Sequence, residues 1–217
     1  MALNVIMMGP PGAGKGTQAG RFASERGLPK ISTGDILREA IKERNPTALA
    51  AQARMDRGEL VDDETIISIV EERLLRADAQ DGFVLDGFPR TVAQARALDA
   101  LMGRLDSGPL IVVDVAVPEH ELVRRLANRR ICEGCGTNAV PTDAAACGQC
   151  GGQLVQRADD DHGVVLERLR IYQQSTRPVL EYYKQRPTFR VVNGAQPPER
   201  VALDLNAMID DAAAARR

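Results

Sequence analysis

The chain has 217 residues, 44% of them hydrophobic and 27% charged, which suits one α/β domain with insertions and a core that needs no disulfides. Its 28 Lys and Arg oppose 30 Asp and Glu, a formal net charge of -2, so no overall basic field recruits nucleic acid or an anionic membrane surface, and any phosphate binding has to be local. A 3% aromatic content without Trp argues against base-stacking surfaces, and no stretch approaches the roughly 20 apolar residues of a membrane span.

The chain opens on a short apolar run that leads into a glycine-rich turn. It carries no basic leader or cleavage site, so residues 4–8 read as a first strand, and the expected location is cytoplasmic. Gly9-Pro-Pro-Gly-Ala-Gly14-Lys15 fits the P-loop pattern, and the helix predicted over Lys15–Arg26, stopping at Gly27, supplies the required strand, loop, helix context. In such a loop backbone N–H groups and the helix N-terminus converge on phosphate oxygens, and the lysine adds a mobile charge. Gly16 stands where a Ser or Thr commonly follows the lysine; magnesium binding therefore shifts toward Thr17, Asp86 and water.

Residues 32–61 form a helical excursion, with helix starts near Ser32-Thr33-Gly34-Asp35 and Asp62-Asp63-Glu64 and a break at Asn45-Pro46. Asp35 reads as a helix cap, or as the partner that orients Arg38. Further strands are predicted over 83–86, 111–115 and 189–192, separated by enough chain for helical crossovers, which gives a parallel sheet covered on both faces. Asp86 ends a strand, where ligands collect in such sheets, and is the candidate for holding magnesium through water. A helix beginning near Pro118 places Arg125 and Arg129, four residues apart, on one face toward a polyphosphate.

Residues 128–160 are rich in Gly, Cys, Asp and Ala, lack a helical period and are too long for an ordinary connection, so they read as a second insert. All four cysteines lie there, as Cys132-x2-Cys135 and Cys147-x2-Cys150, a spacing that brings four thiolates around one tetrahedral metal. Gly134, Gly136, Gly148 and Gly151 suit the tight knuckle turns. Four protein ligands leave no open position, so the metal is expected to be structural Zn2+, with iron as the chemical alternative. Arg157 and Arg168 bracket the acidic turn at Asp159, Asp160 and Asp161, and the residues from 212 to the end read as a fraying helix.

The run from Gly9 to Gln18 resembles the nucleoside monophosphate kinases, and among them most closely the adenylate kinases. The resemblance extends over nearly the whole chain. It is carried by Ser32-Thr-Gly-Asp-Ile-Leu-Arg38, Gly58-Glu59-Leu60-Val61, Leu85-Asp-Gly-Phe-Pro-Arg-Thr91, Arg125 with Arg129-Arg130, Gln156-Arg157-Ala158-Asp159-Asp160, and Arg168. It implies a P-loop core with a five-stranded parallel sheet, made of 1–31, 62–127 and 161–217, an AMP-binding insert at 32–61 and a zinc-bearing lid at 128–160. It also implies Mg-dependent phosphoryl transfer, ATP + AMP = 2 ADP, with ATP and AMP as substrates; no coiled-coil or symmetric interface motif stands out in the sequence, and a monomer is expected.

By that resemblance the ATP side is formed by Gly12, Ala13, Gly14, Lys15, Gly16, Thr17, Arg125, Arg129, Asn138, Ala139 and Gln196. The AMP side is formed by Thr33, Arg38, Glu59, Leu60, Val61, Gly87, Phe88, Pro89, Arg90, Gln94, Arg157 and Arg168. Catalytic charge stabilisation falls to Lys15, Arg38, Arg90, Arg129, Arg157 and Arg168, in keeping with a reaction that asks the protein to position groups and neutralise charge. Gln94 both donates and accepts, which suits adenine's amino group and ring nitrogen. Related pyrimidine kinases typically have alanine where Thr33 stands and keep a short lid, which favours AMP over UMP or CMP.

Two departures from the relatives stand out. The segment from Thr137 to Pro141 is short and lacks an aromatic, and Asn128 stands where glycine is common. The competing readings are a UMP/CMP kinase, a P-loop nucleotide switch and a zinc-ribbon nucleic-acid module. A switch has no use for a second phosphate clamp at Arg38 and Arg90, and the lid, with Asp143 and Asp159 to Asp161, is acidic rather than basic.

Overall fold

A computed structural model describes residues 2–139 and 146–214. Val140, Pro141, Asp143 and the tail residues 215–217 lie outside the described residues. Strand β1, Leu3–Met8, runs into the glycine loop and helix α1, Lys15–Arg26. The helix stops because Gly27 takes a left-handed conformation (φ 65°), and its N–H bonds the carbonyls of Ala23 and Ser24. Strand β2, Lys30–Ser32, leads into α2, Thr33–Lys42, and α3, Pro46–Asp56 follows the expected break. Next come α4, Asp63–Leu74, β3, Gly82–Asp86, α5, Val92–Leu105, β4, Leu110–Ala116, and α6, Glu119–Ala127. Strands β5, Arg130–Cys132, and β6, Leu154–Gln156, belong to the lid, and α7, His162–Ile171, α8, Arg177–Tyr183, β7, Phe189–Asn193, and α9, Pro198–Ala214, complete the chain.

The main sheet is five-stranded and parallel, in the order β2-β3-β1-β4-β7. Alternation along β1 sends Ile6 into one apolar layer with Leu85 and Val112, and Val5 and Met7 into the opposite layer with Phe22, Ile111, Leu205 and Ile209. Both faces are therefore buried, which is why these strands read as nearly continuous apolar runs. Strand β2 was not among the strands predicted. It has three residues at the sheet edge and pairs only with β3, too short for a periodic signal.

Two local expectations are corrected. Ser32, rather than Asp35, caps α2, its Oγ accepting from the Asp35 N–H at 3.3 Å. Asp35 is left to orient Arg38, with which it forms an ion pair. Arg129 does not share a helical face with Arg125: α6 ends at Ala127, and the Asn128 side chain donates to the Arg124 carbonyl at 2.8 Å, closing the helix before Arg129. A π turn at Tyr172–Thr176 joins α7 to α8. Pro178, in the first turn of α8, has no N–H for the regular ladder, which accounts for the widened turn.

Candidate active site

The loop after β1 has the geometry of an anion cradle. Gly9 takes φ 134°, and a Cβ there would sit 2.6 Å from the Val115 carbonyl oxygen, so no side chain fits between loop and sheet. Gly14 takes φ 91° and opens α1 without a side-chain cap, leaving the first-turn N–H groups of Lys15 to Thr17 and the helix dipole at the loop, while the Ala13 N–H closes the turn onto the Pro10 carbonyl at 3.1 Å. Lys15 Nζ donates to the Pro10 carbonyl at 2.8 Å. Burial pushes its pKa down to about 8; Asp86 opposes that shift, while Arg90, Arg168 and Arg129 add to it. Burial also lowers Arg90, and brings Arg168 down to about 10. Burial with cationic neighbours disfavours the charge on Lys15, a condition an incoming polyphosphate relieves.

One cavity gathers every residue expected on the AMP side: Thr33, Arg38, Glu59, Leu60, Val61, Gly87, Phe88, Pro89, Arg90, Gln94, Arg157 and Arg168, together with Lys15. Their elements explain the convergence. β2 ends at Ser32 and β3 at Asp86, so Thr33 and Gly87 leave adjacent strands side by side, and Thr33 Oγ1 donates to the Gly87 carbonyl at 3.0 Å. Arg90 is fixed at three points. Its N–H donates to Gln94 Oε1 at 2.7 Å, its Nε donates to the Gly87 carbonyl at 2.8 Å, and its carbonyl accepts from Thr176 Oγ1 of the π turn at 3.0 Å.

The residues expected on the ATP side run from the loop outward. Gly12, Ala13, Gly14, Gly16 and Thr17 lie with Lys15 at the start of α1, with Thr17 exposed. Asn138 reaches over the loop, its amide nitrogen 4.0 Å from where a Cβ on Gly16 would stand. Ala139 is held by its N–H to the Arg130 carbonyl at 2.9 Å. Arg125 donates to Glu121 at 2.9 Å and to the Gly194 carbonyl at 3.0 Å, beside Gln196, whose amide donates to Asp204 at 2.9 Å. Arg125 and Arg129 thus diverge, the one toward the β7–α9 turn and the other toward the lid hinge.

Carboxylates organise the lid arginines: Arg157 and Arg168, which bracket the acidic turn in sequence, do close on it, and Arg129 joins them. Asp160, buried, accepts from Arg129 Nε at 2.6 Å and from Arg168 Nη1 at 2.9 Å. Asp159 accepts two bonds from Arg157, both 2.9 Å, and lies 3.2 Å from Arg168. Burial works against the charge on Asp159, but Arg168, Arg157 and Arg129 hold its pKa below the usual carboxylate range. Lys30 is an unforeseen member, 3.3 Å from Asp35 and 3.7 Å from Asp86. Lys30 is an ordinary surface charge in sequence, and only this convergence marks it.

Asp86 ends β3 facing the loop, its Oδ2 3.0 Å from the position a Cβ on Gly16 would take. Glycine keeps a side chain out of the gap between this carboxylate and the loop, which Lys30 Nζ and Asn138 Nδ2 border at 3.9 and 4.0 Å from the same position. In the lid, the four cysteine sulfurs lie within 4.8 Å of one another, with Cys132 and Cys150 3.4 Å apart and Cys135 and Cys147 3.7 Å apart. Tetrahedral thiolate ligation of zinc places sulfurs about 3.8 Å apart, so the donor set fits. Two matching turns present them, Gly136 N–H to the Cys132 carbonyl and Gly151 N–H to the Cys147 carbonyl. Of the four glycines expected to shape the knuckles, only Gly136 and Gly151 use a left-handed φ.

Among the described residues no helix is long and apolar enough to cross a membrane. The family model described as Adenylate kinase matches residues 7–188. Curated relatives named Adenylate kinase include one from Archaeoglobus fulgidus, 45% identical over 96% of this chain and 98% of its own length. A Geobacillus relative is 45% identical over 95% of this chain and 98% of its own. One from Staphylococcus aureus is 43% identical over 96% and 99%. With a family model matching most of its length and these relatives covering nearly all of it, on a P-loop fold with a four-cysteine insert, the chain belongs to the adenylate kinase family.

Proposed function

We propose that this chain catalyses the reversible transfer of the γ-phosphoryl group from ATP to AMP, giving two ADP, and that the residues gathered above carry it out. The convergence of Lys15, Arg38, Arg90, Arg157 and Arg168 on one cavity is the observation that supports this most. A nucleotide switch needs one phosphate site; here a second set of cations, Arg38 and Arg90, lines the same cavity as Lys15.

In this reading an AMP phosphate oxygen attacks the γ-phosphorus, the bond to the β–γ bridging oxygen breaks, and ADP leaves with that oxygen. Arg38 and Arg90 hold the AMP phosphate, the loop amides and Lys15 hold the β- and γ-phosphates, and Arg129, Arg157 and Arg168 neutralise the transferring group. Arg125, Asn138, Ala139 and Gln196 line the ATP side, and Thr33, Val61 and Gln94 face the acceptor base. Asp86 holds magnesium through water; the ion supplies charge neutralisation on the phosphates when ATP binds. The cysteines hold a structural zinc ion that fixes the lid without touching substrate. Residues 32–61 and 128–160 act as inserts that close over a core of 1–31, 62–127 and 161–217, excluding water from the transfer. We take the protein to be a cytoplasmic monomer.

The test is ADP formation from Mg-ATP with AMP, UMP, CMP and GMP offered in turn. AMP should be the best acceptor, and Arg90→Ala should lower kcat/KM for AMP by about 100-fold or more with its thermal midpoint little changed. A preference for UMP or CMP, or unchanged turnover in Arg90→Ala, contradicts the assignment.

A further inference from the structure

Gln94 opens the first turn of α5, and both ends of its side-chain amide are bound by protein. Oε1 accepts from the Arg90 N–H at 2.7 Å, and Nε2 donates to Asp63 Oδ1 at 2.8 Å. The other oxygen of Asp63 accepts from Thr91 Oγ1 at 2.9 Å, so the carboxylate is itself fixed. An amide can usually be turned end for end at little cost. Here it cannot, because a backbone N–H only donates and a carboxylate only accepts. Reversal would set an NH2 group against the Arg90 N–H and a carbonyl oxygen against the Asp63 carboxylate, exchanging two hydrogen bonds for two repulsions.

We propose that Asp63 is a specificity-determining positioning residue, holding the Gln94 amide in the one orientation that pairs with a 6-amino purine and opposes a 6-oxo purine. The inference rests on the reading that Gln94 faces the acceptor base. Gln94 lines the cavity and is 2% exposed, so an unmatched base contact there is not relieved by water. After its two protein bonds, the amide keeps one lone pair on Oε1 and one hydrogen on Nε2. Adenine presents an amino hydrogen beside a ring acceptor, the complement of that pair. Hypoxanthine and guanine present a carbonyl oxygen beside a ring N–H, so each position meets its own kind. Asp63 sits in the first turn of α4, directly after the cap Asp62, where the insert carrying Thr33 to Val61 rejoins the core. The acceptor site is thereby tuned by a residue on a different helix from the one that touches the base.

The experiment compares kcat/KM for AMP with kcat/KM for IMP, in the whole enzyme with Mg-ATP. Asp63→Ala removes the acceptor, and Asp63→Asn removes the charge while keeping one acceptor oxygen and adding an NH2 donor. The AMP:IMP ratio should fall at least about tenfold in Asp63→Ala, since a site built to hydrogen-bond loses discrimination when its donors and acceptors are no longer fixed. Because both substrates meet the same folded fraction, a purely structural loss leaves that ratio unmoved. A parallel Gln94→Leu variant separates the two ideas. If Gln94→Leu collapses the ratio while Asp63→Ala stays within threefold of the parent, the role of Asp63 is overturned and the base contact stands. If Gln94→Leu leaves the ratio unchanged, Gln94 does not face the base, and the inference falls with that reading.

Discussion

The sheet and the lid are held by different forces. In the sheet, Val5, Ile6, Val84, Leu85, Ile111, Val112 and Val113 are fully buried between two helical layers. Across the described residues of 128–160, the buried side chains are Cys132, Cys147 and Asp160. Apolar burial contributes on the order of 2 kcal/mol for each large core side chain, and the lid has almost none to draw on. What remains to hold it is a set of four cysteines placed to ligate a metal at one end and the Asp159 and Asp160 ion pairs at the other. A cover built this way can loosen without loss of the core, which is what a closing enzyme requires.

The largest expected effect lies on the core side of this contrast. Phe22 on α1 is 1% exposed, packed in the layer that contains Leu205 and Ile209 of α9. Phe22→Ala should cost about 3–5 kcal/mol of global stability in denaturant unfolding, with the metal content of the lid retained. A loss confined to the lid would break the division.

A smaller effect is expected at the loop, where burial leaves Lys15 with a pKa of about 8. A bound polyphosphate favours the charged amine, so ATP binding at pH 8 to 9 should take up a proton, and affinity should fall as pH climbs past about 8. Titration calorimetry in buffers of different ionisation enthalpy reads this directly, and no proton uptake would contradict it. For folding the sign is opposite. The unfolded chain keeps more protons on this amine between pH 8 and its ordinary 10.5, so its cost to stability fades as pH rises through that window.

The same contrast governs what could be read from the sequence. The core strands, the loop and the cysteine pairs were legible because each is a local pattern: apolar runs between glycines, Gly and Lys at fixed offsets, and two C-x2-C knuckles. Strand β2 was not, because three residues at a sheet edge carry no period and owe their form to β3. Arg129 was set on a helix because spacing alone cannot show that Asn128 ends it. The acidic turn at Asp159 and Asp160 is legible between Arg157 and Arg168, but the roles of Asp63 and Lys30 and the pairing of Asp160 with Arg129 are not, because a charge acquires a role from partners distant in sequence, such as Gln94 for Asp63. The residues gathered in the cavity were found through resemblance, which carries long-range placement that composition and periodicity lack.

The division between core and lid is tested most directly by amide hydrogen exchange on the whole protein before and after stripping the metal with a chelator, with metal content measured in parallel. Exchange should accelerate in β5, β6 and the knuckle turns at Gly136 and Gly151, while β1, β3 and β4 keep their protection. Simultaneous loss of protection in lid and sheet, or no change in the lid once its metal is gone, would contradict a lid held by ligation on a core held by burial.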